Sequence, residues 1–425
     1  MGDQYILNIS ARRDGSSRFG INKRFSNFWS AGGAWIFTSQ DYVKERIKWL
    51  SFGKISSSFG ITGNDQIGDY QFIRTYSNYN LQRPYQGITS MQSFELPNPD
   101  LVWERVKKLS FGIDLGFFQD RILLNVNYQQ NQSDNQLVFS QLPSITGANS
   151  MIRNENGVIV RNKTWEFSLN TTNLKRTGLS WNTIFTLSIA RNKLLAYPNL
   201  EKSSAAQRYV IGQPIDIQKV SRFAGVNAAT GDYEYLDKNG NPRNTVAGLT
   251  EDDILYRSLA SPFYGGIQNT INWKNLSLDF FIQFTKQWGT NFEYYNGISA
   301  LAPGIFDVAL GGGNQPVSVL NRWQHYGDNS KFAKYSTVPF NKNTEISGSD
   351  AVFKDASFAR LKNLSLTYNL PNKWATKSGL QSLKVTLSGQ NLYTITNYDG
   401  PDPETNGLIG LPPLRVYSIG LQLIL

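Results

Sequence analysis

Runs of alternating residues near the end of the chain constrain its fold more than any other feature. Between Asn363 and Leu370, leucine or tyrosine alternates with asparagine, serine or threonine, and the pattern returns at 383–388 and 417–425. Because the side chains of a β-strand point to opposite faces in turn, each run predicts a strand with one apolar and one polar face. Similar runs precede these, so the sequence predicts an all-β chain of about 12 antiparallel strands.

The connections between the predicted strands alternate in length. Tight turns at Gln119-Asp120, at 175–178 and at Lys274-Asn275 follow one set of strands. The other connections run to about 15 to 70 residues, which is uncommon in compact soluble domains. Strands of about 10 residues suit a tilted crossing of a bilayer. Long loops at one rim and short turns at the other predict an antiparallel transmembrane β-barrel, with the long loops extracellular and the short turns periplasmic.

The composition suits the same architecture. Aromatic residues make up 13% of the chain and charged residues only 17%, as in a β protein with a wide apolar belt. Each large aromatic residue by itself fits a soluble β-sandwich equally well, so the barrel prediction depends on their occurrence together with the alternating connections. The residues near predicted strand ends, where interfacial girdles form, are Trp35, Trp49, Trp165, Trp181, Trp273 and Tyr417.

Several classes of function lack the residues that they need. The chain has no cysteine and one histidine, His325, which excludes thiolate sites and predicts a solvent-exposed histidine. The net charge of +10 is dispersed along the chain, so nucleic acid is not an expected partner. No apolar stretch is long enough for a transmembrane helix, and the first residues show no leader-peptide pattern.

No group of residues predicts catalysis, so we expect neither an enzyme nor a cofactor or metal site. The acidic residues at 251–253 have no nearby histidine and predict a solvated loop. The segment 237–241 lacks the glycine and glutamate spacing of a calcium loop, and its Asn-Gly predicts a tight hairpin turn. The glycines at 311–313 precede no Lys-Ser/Thr pair and predict a flexible loop tip.

Short motifs mark strand ends and turns in a fixed order. They are RRDGSSRFG at 12–20, Ala-Trp at 34–35, SFGITGNDQIGDY at 58–70, NPDLVWE at 98–104, FFQDRI at 117–122, SPFYGG at 261–266, DASFARLKNL at 355–364, NLYTIT at 391–396 and DPE at 402–404. From Asp14 to the C-terminus the chain resembles the SusC/RagA family, the TonB-dependent outer-membrane transporters of Bacteroidetes.

The resemblance implies the C-terminal portion, over residues 1–425, of a barrel expected to close with about 22 strands. The family's signal peptide, TonB box and plug domain are absent from this sequence. The last residue, Leu425, also departs from the family, which usually ends on an aromatic residue. The chain is therefore expected in the outer membrane, as a multi-pass barrel in contact with lipid and lipopolysaccharide.

The resemblance also implies nutrient uptake, in which a SusD-like surface lipoprotein captures oligosaccharides or peptides. The TonB complex would drive import through the missing N-terminal part. One alternative is a passive or structural outer-membrane barrel that serves as a scaffold for a partner complex. A soluble β-sandwich that binds carbohydrate is another.

Aromatic and amide side chains in the predicted external loops are the candidate substrate-binding residues. Stacking faces beside amide groups suit sugars or peptides. The alternative is that these aromatic residues pack the loops against each other or against a partner. The candidates are Trp288, Tyr294, Tyr295, Asn296, Trp323 and Tyr326.

Overall fold

Twelve long strands form one antiparallel sheet in the computed structural model. The structure describes residues 4–79, 86, 88, 90–92, 96–148, 150–294, 317–336, 342–371, 374, 379–405 and 410–424. Numbered in chain order, the strands are β1 (Tyr5–Gly15), β2 (Phe25–Ile36), β3 (Leu50–Asn64), β4 (Glu104–Phe117), β5 (Ile122–Asp134), β6 (Ile159–Arg176), β7 (Leu179–Ala196), β8 (Phe263–Trp273), β9 (Leu276–Lys286), β10 (Phe358–Asn369), β11 (Ser382–Thr396) and β12 (Val416–Ile424).

Strands that are neighbours in sequence are also neighbours in the sheet, in order from β1 to β12. The prediction of an all-β antiparallel fold with 12 strands is therefore confirmed. The turn at Thr177-Gly178 joins β6 to β7, and the turn at Lys274-Asn275 joins β8 to β9. Gly178 has a φ of +73°, a left-handed conformation that glycine adopts without steric cost.

The apolar face of the strands is exposed rather than buried. Leu7 and Ile9 of β1 are each 74% exposed, and Ile419 of β12 is 75% exposed. Large apolar side chains grouped on an exposed strand face mark a membrane or protein interface. The six aromatic residues predicted near strand ends are all exposed as well: Trp35, Trp49, Trp165, Trp181, Trp273 and Tyr417.

The connections carry small elements of their own. Short strand pairs are Ser77–Tyr79 with Ser90–Gln92, Gln136–Gln141 with Ser150–Glu155, and Trp288–Thr290 with Phe353–Asp355. The one α-helix in the described residues is α1 (Asp41–Arg46), and 3-10 turns lie at Phe37–Ser39, Ser144–Thr146, Leu200–Lys202, Ser204–Gln207, Glu251–Asp253, Val317–Leu320, Lys342–Gly348 and Asp350–Val352. No described helix is long and apolar enough to cross a membrane.

The chain divides into two compact units, each with a buried core. The first unit comprises Met1–Asn170 and Ser188–Ile215, and the second comprises Thr171–Leu187 and Asp216–Leu425. In the first unit, buried residues cluster around Trp103, and in the second they cluster around Tyr233.

Candidate functional site in the long connections

The connection between β7 and β8 folds into a small sheet of its own. Four strands pair in the order Pro242–Arg243, Tyr233–Leu236, Ile217–Val226 and Ile254–Ser258. The sequence predicted one long loop over this region. The strands were missed because most of them are too short to show an alternating pattern, and each gains its partner only in the folded chain.

The connection between β9 and β10 packs against this sheet. Tyr233 and Tyr235 are almost fully buried, together with Ala333 and Ile346 from the other connection. Hydrogen bonds fix the contact, because the Tyr233 N–H donates to Oδ1 of Asn343 at 3.0 Å. The described parts of these two connections therefore form one folded body, which we name the loop module (residues 216–258, 317–336 and 342–352, with Tyr294).

Tyr294, a predicted binding residue, is partly buried and packs against the core of the loop module. Its ring lies 5.5 Å from Phe223 and 5.4 Å from Phe332, between ring centroids. Its hydroxyl donates to the carbonyl oxygen of Lys331 at 3.0 Å. Burial raises the pKa of Tyr294 to about 12. In this position the side chain joins the two connections.

The other predicted binding residues are dispersed. Trp323 donates its Nε1–H to the carbonyl oxygen of Ala228 at 2.8 Å. Tyr326 is 84% exposed. Trp288 lies in the short strand pair beneath the guanidinium of Arg257, at 4.9 Å.

Tyr294 and Trp323 both contact the segment that carries Phe332, since the Trp323 N–H donates to the Phe332 carbonyl at 2.9 Å. None of the contacts described joins Trp288 or Tyr326 to them. Tyr295 and Asn296 lie outside the described residues.

The acidic segments of the loop module serve as turn and capping residues. Asp237 accepts the N–H groups of Asn239 and Asn241, at 2.8 and 2.9 Å, in the predicted hairpin turn. Asp253 accepts from Thr250 in a capping box, and it also accepts the N–H of Lys238 from the hairpin turn at 2.6 Å. These hydrogen bonds lower the pKa of both carboxylates. Within the described residues, no cluster of acidic, histidine or cysteine side chains could hold a metal ion.

The single histidine is exposed, as predicted. Its side chain is 84% exposed, and its Nδ1 lies 3.8 Å from the Asp328 carboxylate. This carboxylate also accepts the N–H groups of Gln324 and His325, which lower the pKa of Asp328. The arrangement is a local turn and supplies no catalytic partner.

A buried ion network, which sequence reasoning missed, joins three of the motifs. Arg360 of β10 is 1% exposed and donates to Asp402 at 2.5 Å and to Glu404 at 2.6 Å. Its Nε–H donates to Oγ1 of Thr394 in β11 at 2.8 Å. Lys362 donates to both oxygens of Glu404 at 2.8 Å. The motifs at 355–364, 391–396 and 402–404 therefore meet in space.

A β-bulge places both cations of this network on one face. Phe281 of β9 pairs with Asn363 and Ile282 pairs with Leu361, so Lys362 is the extra residue. Because a bulge shifts the alternation by one residue, Arg360, Lys362 and the polar residues that start at Asn363 share a face. This phase change is the only signal in the sequence that could have revealed the network.

The network holds the connection between β11 and β12 against the polar face. We name residues 398–405 the strap. Tyr398 donates its hydroxyl to the Thr290 carbonyl at 2.7 Å, and the Gln287 amide donates to the Pro403 carbonyl. The strap is thus fixed to β10, to the end of β9 and to the short strand pair.

The proteins with similar sequences include several TonB-dependent receptors. TonB-dependent receptor P3 of Formosa agariphila is 27% identical, over 99% of this chain and 44% of the relative. TonB-dependent receptor SusC of Bacteroides thetaiotaomicron is 24% identical, over 99% of this chain and 42% of the relative. The chain thus spans less than half the length of these relatives. No family model matches the chain.

The solved structures agree with the sequence relatives. The structure of the RagAB peptide transporter superposes with a TM-score of 0.80 at 26% identity, covering 99% of this chain and 46% of that chain. The RagAB peptide importer in the open-open state gives a TM-score of 0.80 at 25% identity, over 100% of this chain and 45% of that chain. Over nearly its whole length, the chain is therefore a relative of the TonB-dependent receptors SusC and RagA, which are outer-membrane β-barrel proteins.

Proposed function

We propose that the chain is the C-terminal portion of the barrel of an outer-membrane importer for oligosaccharides or peptides. The observation that carries this proposal is the match to a peptide transporter over 99% of the chain at a TM-score of 0.80. Such a match includes the strands and the long connections, where an importer meets its substrate. The exposed apolar face supports placement of the strands in lipid.

The driving force for uptake would come from outside these residues. In this proposal a plug domain and a TonB box lie in the part of the relatives that the chain does not span. TonB would act on that plug, and a SusD-like lipoprotein would deliver the substrate at the long connections. The loop module suits that contact, because its core keeps the connections in a defined arrangement.

The substrate-binding residues remain a proposal. Tyr326 has the exposure that a stacking residue needs, and Trp288, Tyr295, Asn296 and Trp323 stay candidates on the same chemical grounds. Tyr294 would act indirectly, since its ring and hydroxyl are engaged within the loop module. Its role in the proposal is to hold the two connections together.

Uptake by the source bacterium tests the proposal. The gene is deleted, and the entry of labelled oligosaccharides and labelled peptides is followed with and without an uncoupler of the proton-motive force. Energy-coupled import predicts that the deletion and the uncoupler each abolish uptake of one substrate class. Uptake that depends on the gene and resists the uncoupler would favour a passive barrel. No change on deletion would favour a structural role.

A further inference from the structure

The apolar face of the first unit ends in cationic residues. From Arg105 onwards, β4 and β5 pair without a register shift. Because the ladder is regular, Arg105 and Lys107 lie on the same face as Leu109 and Phe111. The latter two side chains are 39% and 40% exposed. Towards the long-connection end, this face therefore passes from an apolar belt to two cations.

The β1–β2 hairpin, which β3 separates from β4 in the sheet, repeats this change. β1 and β2 also pair without a register shift, so Arg13 lies on the face of Leu7 and Ile9. The guanidinium of Arg13 lies 5.1 Å from the centroid of the Phe25 ring. Phe25 is 62% exposed, so an aromatic side chain and a cation adjoin at the end of the belt.

A pocket of about 440 Å³ lies at this end of the face. Its volume is within the range of small-molecule sites, about 300 to 1,000 Å³. Two cations, one carboxylate and several amides line it, and the cations and amides can donate hydrogen bonds to an anion. The charged and amide residues of the lining are Asn22, Lys23, Arg105, Asp134, Asn135 and Asn156.

The pocket keeps a net positive charge from its lining residues, because it holds two cations and one carboxylate. Asp134 lies directly opposite Arg105 in the ladder, but its carboxylate pairs with Nζ of Lys107 at 2.9 Å. Within the part of the chain that the structure describes, neither Lys23 nor Arg105 has an ion-pair partner. Two cations at the edge of an apolar face thus remain available to an external anion.

The wall of the pocket is held in place before any ligand binds. Trp103 donates its Nε1–H to the carbonyl oxygen of Arg24 at 3.0 Å, which links the β1–β2 turn to the start of β4. Asn135 donates its amide to the Trp103 carbonyl at 3.3 Å. A pocket whose wall is already fixed loses little conformational freedom on binding.

We propose that this pocket binds the phosphate group of an anionic glycolipid headgroup in the outer leaflet. Arg105 lies about 13 Å beyond Leu109 along the strand, at about 3.3 Å per residue. This places it past the hydrocarbon and at the level of headgroups. Basic side chains beside a membrane surface attract anionic lipid. The position beside the apolar belt favours a lipid over a free phosphate ion. The inference depends on the outer-membrane location and not on import.

Lipid binding by the whole gene product tests the proposal. The protein is purified in detergent, delipidated and mixed with phosphorylated or dephosphorylated lipid A, and bound lipid is counted by native mass spectrometry. We expect retention of the phosphorylated form only. The double variant Lys23→Gln, Arg105→Gln should bind the phosphorylated lipid roughly tenfold more weakly, or weaker still. Lys175→Gln, near the end of β6 beside the tight turn to β7, is the matched control and should bind normally.

Three results would overturn the proposal. Equal retention of both lipids would mean that only acyl chains are bound. A second result is that the double variant binds the lipid as the parent protein does, while its heat-modifiable migration proves that it is folded. That result would mean that the lipid binds outside this pocket. Binding of inorganic phosphate without binding of lipid would identify a different ligand. Because uptake is measured separately, each of these results leaves the importer proposal standing.

Discussion

Arg360 is a buried cation held by two carboxylates, and this residue determines where the strap lies. Its partners Asp402 and Glu404 are 12% and 30% exposed, so the pairs are largely withdrawn from water. Removal of one member of a buried ion pair is costly, about 3–5 kcal/mol, because the remaining charges lose their compensation. The strap should therefore be fixed in the native state.

Replacement of Arg360 should release the strap without unfolding the sheet. In Arg360→Met we expect hydrogen exchange at 398–405 to accelerate by a factor of about 100 or more, which corresponds to about 3 kcal/mol. Lys362→Met is the matched control, because Lys362 is 28% exposed and its ion pair among the described residues is with Glu404 alone, and it should accelerate exchange far less. Equal exchange in both variants and the parent chain would show that the network does not hold the strap.

The Asp355 carboxylate should make the stability of its strand pair depend on pH, and only under acidic conditions. Burial raises the pKa of this carboxyl, but the hydrogen bonds from Lys286 and Ser357 outweigh burial and hold the pKa at about 2. A depressed pKa stabilises the folded form above the unfolded value of 3.8, and this contribution is lost as the pH falls towards 2.

Pepsin cleavage in the strand pair Trp288–Thr290 and Phe353–Asp355 measures this effect. Asp355→Asn should be cleaved faster than the parent chain at pH 4, and the difference should vanish near pH 2. A difference that persists at pH 2 would contradict the assignment. Asp41→Asn, at an exposed carboxylate of α1 in the first unit, serves as the control.

At the scale of elements, the long strands could be predicted from the sequence because their faces alternate with a period of two. Each of the 12 long strands corresponds to a predicted strand. The alternation at Asn363–Leu370 was detected, but its continuation to Phe358 was not, since the bulge at Lys362 shifts the phase. The loop module could not be foreseen, because contacts such as that between Tyr233 and Asn343 join distant residues. For the same reason, the partly buried position of Tyr294 could not be inferred from its sequence neighbours.

Close approach of neighbouring strands should make one glycine essential. A Cβ at Gly265 would lie 2.2 Å from the carbonyl oxygen of Thr186, and backbone cannot move aside as a side chain can. Gly265→Ala should therefore reduce the folded, heat-modifiable fraction in the outer membrane. At Gly420 the nearest atom lies at 3.9 Å, so Gly420→Ala should fold normally. Equal folding of the two variants would contradict the packing of β8.

The loop module should loosen when a carboxylate that links its two connections is removed. Asp350 accepts the Phe223 N–H at 2.8 Å and pairs with Arg257 at 3.4 Å. Asp350→Ala should increase proteolysis within 216–258 several-fold, because it leaves the Phe223 N–H and the Arg257 charge unpaired. His325→Ala, at an exposed side chain of the same module, should leave the cleavage rate unchanged. A parent-like rate in Asp350→Ala would mean that the two connections are not held together by this contact.

At the scale of the whole molecule, the proposed function requires a sheet with one face in lipid and one in water. Leu366 and Thr367 are adjacent in β10 and point to opposite faces. Residues 1–425 contain no cysteine, so a single introduced cysteine is the only thiol in this part of the protein. In outer membranes, Leu366→Cys should react with a lipid-soluble maleimide and resist a charged one, whereas Thr367→Cys should show the reverse. Equal reaction of both with the charged reagent would contradict a membrane-spanning sheet.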